Sequence, residues 1–312
     1  MREKEIAEFW SAHPCGDHLV GGASRGGRCE YEEFFTRYDT FKYRLEPHIP
    51  GCLDGLDVAG RRVLEIGLGQ GAESEQLIRR GALWTGVDLT ETSVERVRTR
   101  LTQRNLPWEG LHRANVLDLP FPADSFDLVF SHGVLHHVPD ILAAQREIHR
   151  VLRPGGELVA MLYARWSLNY LLSIGLLRRA ALAVIYPLAR AGLFKPSGVV
   201  GAHVRNARRV GLCSYLRMRQ FIHHNTDGPD NPHSRVYDVR TARQHFPDFS
   251  LVRVHKHFMH APPLPVHALP GGRVAGWHLW VHMRPKWRTD ESAATSTSET
   301  TAGWCGPATK DR

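Results

Sequence analysis

Three glycines directly follow a predicted strand and could let a ligand approach bare backbone. Gly67, Gly69 and Gly71 stand in the segment VLEIGLGQGAES, in which residues 63–66 read as a strand and the residues after the loop read as a helix. Glycine permits a tight turn, and the N-terminus of the following helix directs amide donors at a ligand. The spacing Gly67-x-Gly69-x-x-Ala72 also approximates the dinucleotide fingerprint. A glycine turn that only packs a helix on a strand is the alternative interpretation.

An acidic residue stands where a ribose-binding carboxylate is needed. Asp88 ends the next strand-like run, TGVD, about 20 residues after Gly67. Both hydroxyls of a ribose can donate to one carboxylate at this place. The same residue could instead cap the helix that follows Thr90. Taken with the glycine loop, Asp88 predicts a ligand that contains a nucleoside.

The elements that position these residues follow an alternating pattern. From about residue 60, the strand-like runs RRVLEI, LWTGVDL, LHRANV, FDLVFS and GELVAMLY alternate with amphipathic stretches. This rhythm is typical of βαβ units and a parallel sheet covered on both faces. Two later runs, LVRVHKHFM and GWHLWVHM, could close the sheet with an antiparallel edge. Because parallel strands share a direction, the residues at 67, 88, 115 and 131 should lie along one edge, where ligands bind.

Two longer motifs resemble a known family. LPFPADSFDLVFSHGVLHHVPD and EIHRVLRPGGELVAML resemble the class I (Rossmann-like) S-adenosylmethionine-dependent methyltransferases, in particular the methyltransferase type 11 group with its menaquinone and ubiquinone C-methyltransferases. The resemblance covers about residues 60–165. It implies an α/β fold with a seven-stranded, mostly parallel Rossmann-like sheet and helices on both faces. It also implies S-adenosyl-L-methionine as cofactor, S-adenosyl-L-homocysteine as product, and a small-molecule acceptor from secondary metabolite or quinone-type biosynthesis.

The resemblance further implies which residues bind the cofactor. The glycine loop would meet the methionine part, Asp88 the ribose and Leu89 the adenine. Asn115 stands where the family often has Asp, but its carbonyl can still accept a hydrogen bond from the adenine amino group. The full set of expected cofactor-binding residues is Glu65, Gly67, Leu68, Gly69, Gln70, Gly71, Asp88, Leu89, Asn115, Val116, Ser131 and His132.

A general base is needed only if the acceptor must lose a proton, and histidine suits that role near neutral pH. His132 lies near the predicted cleft, His136 on the LHH turn and His223 in an irregular later segment. A structural role or a place in an exposed loop is the alternative for each. Aromatic side chains that could contact the acceptor, with ordinary packing as their alternative, are Tyr38, Trp166, Tyr170 and Tyr215. No paired Cys/His motif points to a metal, so none is expected.

Five segments are predicted along the chain. Residues 1–50 would form a helical N-terminal cap, 51–164 the cofactor-binding core, and 165–240 an inserted substrate cap or lid. Residues 241–285 would supply the last helix and the antiparallel strands. The polar, low-complexity stretch 286–312 cannot bury a core and is predicted to be disordered. The glycine-rich segment GGASRGGR within the N-terminal cap is predicted to be a flexible loop.

Charge and composition leave three further questions open. The 312 residues carry a net charge of +8, which slightly favours an RNA or protein methyltransferase, although no RNA-binding module is recognisable and no nucleic acid is expected. A non-catalytic scaffold that retains the cofactor fold is a second alternative. Five cysteines without a CxxC pair and a charged N-terminus predict a cytoplasmic protein. A homodimer is left open.

One apolar stretch is long enough to raise the question of a membrane. Residues 168–194 are interrupted by Arg178, Arg179 and Pro187, so a stable membrane insertion is not expected. A buried helix of the cap is favoured over a helix that lies in a membrane interface.

Overall fold

One seven-stranded sheet organises the computed structural model, which describes residues 2–13 and 28–287. The strands in chain order are β1 Arg62–Ile66, β2 Leu83–Asp88, β3 Gly110–Arg113, β4 Phe126–His132, β5 Leu152–Tyr163, β6 Phe249–His257 and β7 His278–Pro285. Their spatial order is β3-β2-β1-β4-β5-β7-β6. Strands β1 to β5 pair in parallel, and β7 pairs antiparallel with both β5 and β6. The predicted α/β fold with an antiparallel edge is confirmed.

Helices connect and cover the strands. Helix α7 has π-type hydrogen bonding and runs directly into α8. Short 3₁₀ turns lie at Leu135–His137 and His223–Asn225. The helices are α1 Arg2–Ala12, α2 Arg28–Leu45, α3 His48–Asp54, α4 Ala72–Arg79, α5 Glu91–Gln103, α6 Ile141–Val151, α7 Asn169–Arg178, α8 Arg179–Arg190, α9 Gly198–Val210, α10 Leu212–Tyr215, α11 Met218–Phe221, α12 Val239–His245 and α13 Gly272–Ala275.

The core lies on both faces of the sheet. In β1, Leu64 and Ile66 pack into one buried cluster, and Val63 packs into the other. This explains why β1 reads as a continuous apolar run, since a parallel strand covered on both faces has no solvent side. A third, smaller cluster joins α7, α8 and α9 through residues such as Ile174, Leu182 and Val204.

The expectation of a buried cap helix for residues 168–194 is wrong. The continuous helix Asn169–Arg190 is long and apolar enough to cross a membrane by length and composition, yet only 17% of its most apolar window is buried. One side of this helix packs into the third cluster through Ile174, Leu182 and Ala189. Leu171, Leu176, Val184 and Leu188 lie on the exposed side, where no described element covers them.

Two sequence predictions fall outside the described residues. The glycine-rich segment 21–27 is one of them. The tail predicted to be disordered from residue 286 is the other, apart from Lys286 and Trp287, which are described.

A buried arginine connects three helices beneath the glycine loop. Arg100 on α5 is fully buried, and its Nε donates to Glu75 Oε2 on α4 at 2.8 Å. The same guanidinium donates to Asp39 on α2 and, through Nη1, to the backbone oxygen of Gln70 at 3.3 Å. Arg104, one helical turn on, also donates to Glu75 and Asp39. Removing one member of such a buried network leaves its partners without a counter-charge.

We predict that Arg100→Met lowers the free energy of unfolding by roughly 3 kcal/mol. Arg104 would then be the remaining guanidinium between Glu75 and Asp39, while Glu75 would keep its contact with Arg79. Urea denaturation measures the change. Arg98→Met is the matched control, because Arg98 is exposed on the same helix and its loss should cost under about 0.5 kcal/mol. Equal losses in the two variants would contradict a stabilising role for the network.

Candidate active site

A cavity of about 810 Å³ opens at the carboxyl ends of β1, β2 and β4. Its volume falls in the range of roughly 300–1,000 Å³ in which small-molecule sites lie. The glycine loop and the ends of the strands form one wall. Helices α1 and α2 contribute Trp10, Tyr38 and Lys42, and the later segment contributes Val199 and residues 226–229. The cavity is therefore closed by parts of the chain far from the sheet in sequence.

The glycine loop needs its glycines for two different reasons. Gly67 has a positive φ of 81°, and a Cβ there would lie 2.1 Å from Val134. Gly69 also has a positive φ and lines the cavity. Gly71, which has a φ of 76°, is the N-cap of α4 and does not line the cavity, and a Cβ there would meet Val97 at 3.0 Å. The structure thus brings Gly67 and Gly69 to the cavity but not Gly71.

Asp88 joins the end of β2 to the glycine loop. Its Oδ2 accepts from the backbone amide of Leu68 at 2.8 Å, and its Oδ1 accepts from the amide and the hydroxyl of Thr90, each at 2.8 Å. Burial raises the pKa of Asp88, while these hydrogen bonds act in the opposite direction. Helix α5 is capped by Thr90, whose hydroxyl accepts from the amide of Ser93. The Asp88 carboxylate is held on the cavity wall.

Several further residues that the sequence suggested for the cofactor lie on the same wall. Asn115 donates to Glu3 at 3.2 Å and accepts from the amide of Leu117 at 3.1 Å, which fixes its side chain. The others are Glu65, Leu68, Gln70, Leu89, Val116 and His132. Ser131 does not reach the cavity, because it is fully buried and its hydroxyl donates to the backbone oxygen of Ile66 at 3.0 Å.

Two glutamates near the cavity floor are held in opposite protonation states. Glu65 Oε2 accepts from the Trp84 indole at 2.7 Å, and burial raises the pKa of Glu65 to about 8. Burial alone would also raise the pKa of Glu73, but the Lys42 ammonium, 2.6 Å from its Oε1, and the nearby His132 lower it to about 2. At neutral pH, Glu65 is mostly protonated and Glu73 is ionised.

His132 lies between these charges and the antiparallel strands. Its Nδ1 is 3.7 Å from Glu73 Oε1, and its ring contacts those of His278 and Trp280. Burial lowers the pKa of His132 to about 4, although Glu73 acts in the opposite direction. Its buried Nε2 has no hydrogen-bond partner among the described residues. His132 thus presents a neutral imidazole to the cavity.

Sequence reasoning missed a second polar group on the cavity wall. His137 Nδ1 donates to the backbone oxygen of His233 at 2.7 Å, and its Nε2 lies 3.2 Å from Asp227 Oδ2. The Tyr163 hydroxyl donates to Asp227 Oδ1 at 2.8 Å. Burial would raise the pKa of Asp227, but His137 and the hydrogen bonds lower it. The LHH turn and the segment NTDGPDN both carry polar residues in the sequence, but nothing in the sequence shows that these two segments are in contact.

The other two histidine candidates do not reach the cavity. His136 is fully buried with its ring centroid 3.8 Å from that of Tyr163, and burial lowers its pKa well below the usual value. His223 is bound through Nδ1 to the backbone of Ser234 at 2.9 Å, where it holds the loop. Neither side chain is placed to contact a ligand in the cavity.

Among the aromatic candidates, the structure brings Tyr38 alone to the cavity wall. Trp166 is 59% exposed on the outside of the protein. Tyr170 packs on the core of the cap, and Tyr215 is fully buried in that core with its hydroxyl 2.8 Å from His203 Nδ1. The sequence placed them near the acceptor because they follow β5 or lie in the predicted lid, but their side chains point into the cap or to solvent.

A cluster that could ligate a metal lies on β6 and α3, although the sequence predicts none. Ligand atoms of Cys52, His255 and His257 lie within 4.8 Å of one another. Thiolate and imidazole are ligands that zinc prefers. The ring nitrogens are, however, already paired, since His257 Nε2 lies 2.9 Å from His255 Nδ1 and His255 Nε2 lies 3.3 Å from His282 Nε2. Both ring nitrogens of His255 and one of His257 therefore already lie within hydrogen-bond distance of another imidazole.

Replacing Lys42 by methionine should make stability depend on the state of Glu73. In the native protein the pKa of Glu73 is lowered, so its stabilising contribution is complete above about pH 4.5 and is lost as the pH falls toward 2. In Lys42→Met the buried carboxylate lacks its counter-charge, and we expect a loss of about 3 kcal/mol at pH 7. At pH 4 the loss should be smaller, because protonated Glu73 needs no cation.

Chemical denaturation of both proteins at the two pH values measures this effect. Lys4→Met is the control, since the Lys4 side chain is 83% exposed in its contact with Glu8. A loss in Lys42→Met that is the same at both pH values would show that the lysine acts by packing rather than by its charge.

The segment that carries the glycine loop is similar to known proteins. A family model described as "Methyltransferase domain" matches residues 64–160. The chain is 36% identical over 102 residues to 27-O-demethylrifamycin SV methyltransferase of Amycolatopsis mediterranei. This match covers 32% of this chain and 38% of that protein. It is 37% identical over 102 residues to demethylmenaquinone methyltransferase of Tropheryma whipplei, a match that covers 32% of this chain and 41% of that protein. It is 31% identical over 139 residues to ubiquinone biosynthesis O-methyltransferase of Alkalilimnicola ehrlichii, a match that covers 44% of this chain and 54% of that protein.

These similarities have a limited extent. The chain spans about half or less of the length of the three relatives, between 38% and 54%. Among solved structures, geranyl diphosphate C-methyltransferase from Streptomyces coelicolor A3(2), in complex with Mg²⁺, geranyl diphosphate and S-adenosyl-L-homocysteine, matches with a TM-score of 0.51 and 13% identity. That match covers 92% of this chain and 98% of the other, and at this identity it shows the shared fold.

Proposed function

Because residues 64–160 match a methyltransferase domain model, we propose that the protein transfers the methyl group of S-adenosyl-L-methionine to a small-molecule acceptor. The observation that carries the proposal is the single cavity that adjoins both the glycine loop with Asp88 and the polar group of His137 and Asp227. A cofactor on the first wall would face an acceptor near the second. The relatives named above support a small acceptor, since their names refer to a rifamycin and to quinones.

The residues on the first wall fit this cofactor. Gly67 and Gly69 expose backbone to a ligand, and Asp88 offers a carboxylate for the ribose hydroxyls. Glu65 could ionise beside a bound ammonium group, because an adjacent positive charge favours the charged form of a carboxyl. The unpartnered Nε2 of His132 is a further polar atom for a bound ligand. When bound, the cofactor supplies a methyl group on a sulfonium that is an excellent leaving group.

The protein then acts mainly by enclosure and orientation. Trp10 and Tyr38 from the N-terminal helices and Val199 from the later segment close the cavity around its ligands. Excluding water favours a reaction that disperses charge, and holding the reactants in line can supply roughly 7–11 kcal/mol in favourable cases. We take residues 1–50 and 165–240 as the two parts that provide this enclosure, and we place the reaction in the bacterial cytoplasm.

His137 is the residue best placed to take a proton from the acceptor. Its Nδ1 is fixed by the carbonyl of His233, so Nε2 is the nitrogen that faces Asp227 and the cavity. The carboxylate of Asp227, oriented by the Tyr163 hydroxyl, lies 3.2 Å from that nitrogen and can accept a hydrogen bond from it once it has taken a proton. His132 is a poor base at neutral pH, because burial lowers its pKa to about 4.

Calorimetric titration tests the cofactor assignment. We expect the purified protein to bind S-adenosyl-L-methionine and S-adenosyl-L-homocysteine but not NAD. Asp88→Asn should weaken binding of both by about tenfold or more, because one charged acceptor of the ribose is lost. Asp57→Asn is the control, since the Asp57 side chain is 77% exposed and bound to Arg61. Unchanged affinity in Asp88→Asn would remove the ribose role, and binding of NAD alone would overturn the proposed function.

Methyl transfer from the tritiated cofactor tests the role of His137. Demethylmenaquinol, which must lose a proton on methylation, and a free fatty acid, whose carboxylate has already lost it, serve as probe acceptors. With an acceptor that must lose a proton, His137→Gln should lower kcat by roughly 10²–10⁴ while the affinity for S-adenosyl-L-homocysteine stays within about twofold. The control His112→Gln changes an exposed histidine on β3. Full turnover in His137→Gln would exclude it as the base, and failure to label either probe would count against these two acceptor classes.

A further inference from the structure

An apolar ridge runs along the outside of α8 and the segment that follows it. Ala180, Val184 and Leu188 are spaced by four residues, so they lie along one face of the helix, and Val184 is 63% exposed. The ridge continues into Leu193, which is 77% exposed, and Phe194, which is 47% exposed. A contiguous exposed apolar surface of this kind marks an interaction site.

The stretch of sequence that carries this ridge has charge of one sign. Between Glu157 and Asp227 the chain contains no acidic residue and ten basic ones. Eight of these are exposed, namely Arg165, Arg190, Lys195, Arg205, Arg208, Arg209, Arg217 and Arg219. An anionic surface complements this region, whereas a second copy of the same face would bring like charges together.

The ridge is fixed to the protein on its other side. Arg178 Nη1 donates to the backbone oxygen of Asn225 at 2.9 Å, and Arg179 Nε donates to that of Leu216 at 2.8 Å. Leu182 is buried in the core of the cap. A helix held in this way cannot cross a bilayer without breaking these contacts, so it presents one face to whatever covers it.

The ridge leads to the mouth of the cavity. Val199, in the first turn of α9 and five residues after Phe194, is 62% exposed and also lines the cavity. Exposed apolar side chains therefore occur on both sides of the short segment 195–198, which joins the end of the ridge to the cavity wall. An acceptor with a hydrocarbon tail could pass along this surface without crossing bulk water.

We propose that the ridge, defined as residues 180–200 with their basic neighbours, docks on the surface of a bilayer that contains anionic phospholipid. The helix lies in the plane of the interface with its apolar face among the headgroups and upper acyl chains, while the exposed arginines contact phosphates. A lipophilic acceptor then reaches the cavity from the bilayer past Val199. This last step rests on the proposed methyl transfer, whereas the docking itself does not.

Co-sedimentation of the full-length protein with vesicles tests the docking. We expect binding to vesicles of phosphatidylcholine with phosphatidylglycerol, little binding to phosphatidylcholine alone, and weakening at high salt. Leu193→Ser/Phe194→Ser should weaken binding by at least about tenfold, because two apolar side chains are removed from the interface. Arg190→Gln/Lys195→Gln should also weaken it, roughly fivefold for each charge.

Leu188→Ser and Leu142→Ser form a matched pair, since both leucines lie on helices and are 42% exposed. The first should weaken vesicle binding and the second should not. All variants are also titrated with S-adenosyl-L-homocysteine, which reports the cofactor site separately. Intact cofactor binding without vesicle binding would overturn the docking alone, and the reverse result would overturn the proposed function alone. A dimer in light scattering that the ridge variants dissociate, without vesicle binding, would assign the surface to self-association and overturn the proposal.

Discussion

The parallel pairing of β1 with β2 and β4 is the constraint on which the site depends. Ile66 pairs with Val87, and Glu65 pairs with Phe130, so the three strands end at the same edge of the sheet. The residues that follow these ends must then share one cavity. The contact between Gly67 and Val134 shows how closely the exit loops are packed, since no side chain fits between them.

Burial and neighbouring charge give chemically identical residues different roles around this edge. Glu65 is held by an indole donor and stays mostly neutral, whereas Glu73 lies against an ammonium group and stays ionised. Two histidines of the cavity wall also have different surroundings. His132 Nε2 has no hydrogen-bond partner among the described residues, whereas His137 Nε2 faces the carboxylate of Asp227. One side of the cavity therefore suits a polar, positively charged ligand, and the other suits an acceptor that loses a proton.

The sequence predicted the parts of the site that depend on local order. The glycine loop and Asp88 follow two successive strands, and their backbone conformation is set within a few residues. The contact of His137 with Asp227 was not predictable, because it joins residues 90 positions apart through the path of the cap. His136 and His137 show the limit most clearly: adjacent residues in one 3₁₀ turn point to the buried core and to the cavity, and a single sequence does not reveal which.

The outward face of α8 was also beyond sequence reasoning, since an apolar stretch looks the same whether protein or lipid covers it. Hydrogen-exchange mass spectrometry with and without S-adenosyl-L-homocysteine shows whether the shared edge of β1, β2 and β4 binds the cofactor. We expect the ligand to slow exchange of backbone amides in residues 66–71 and 88–90, with a smaller effect at 226–229. Protection confined to other segments, or unchanged exchange at saturating ligand, would contradict this expectation.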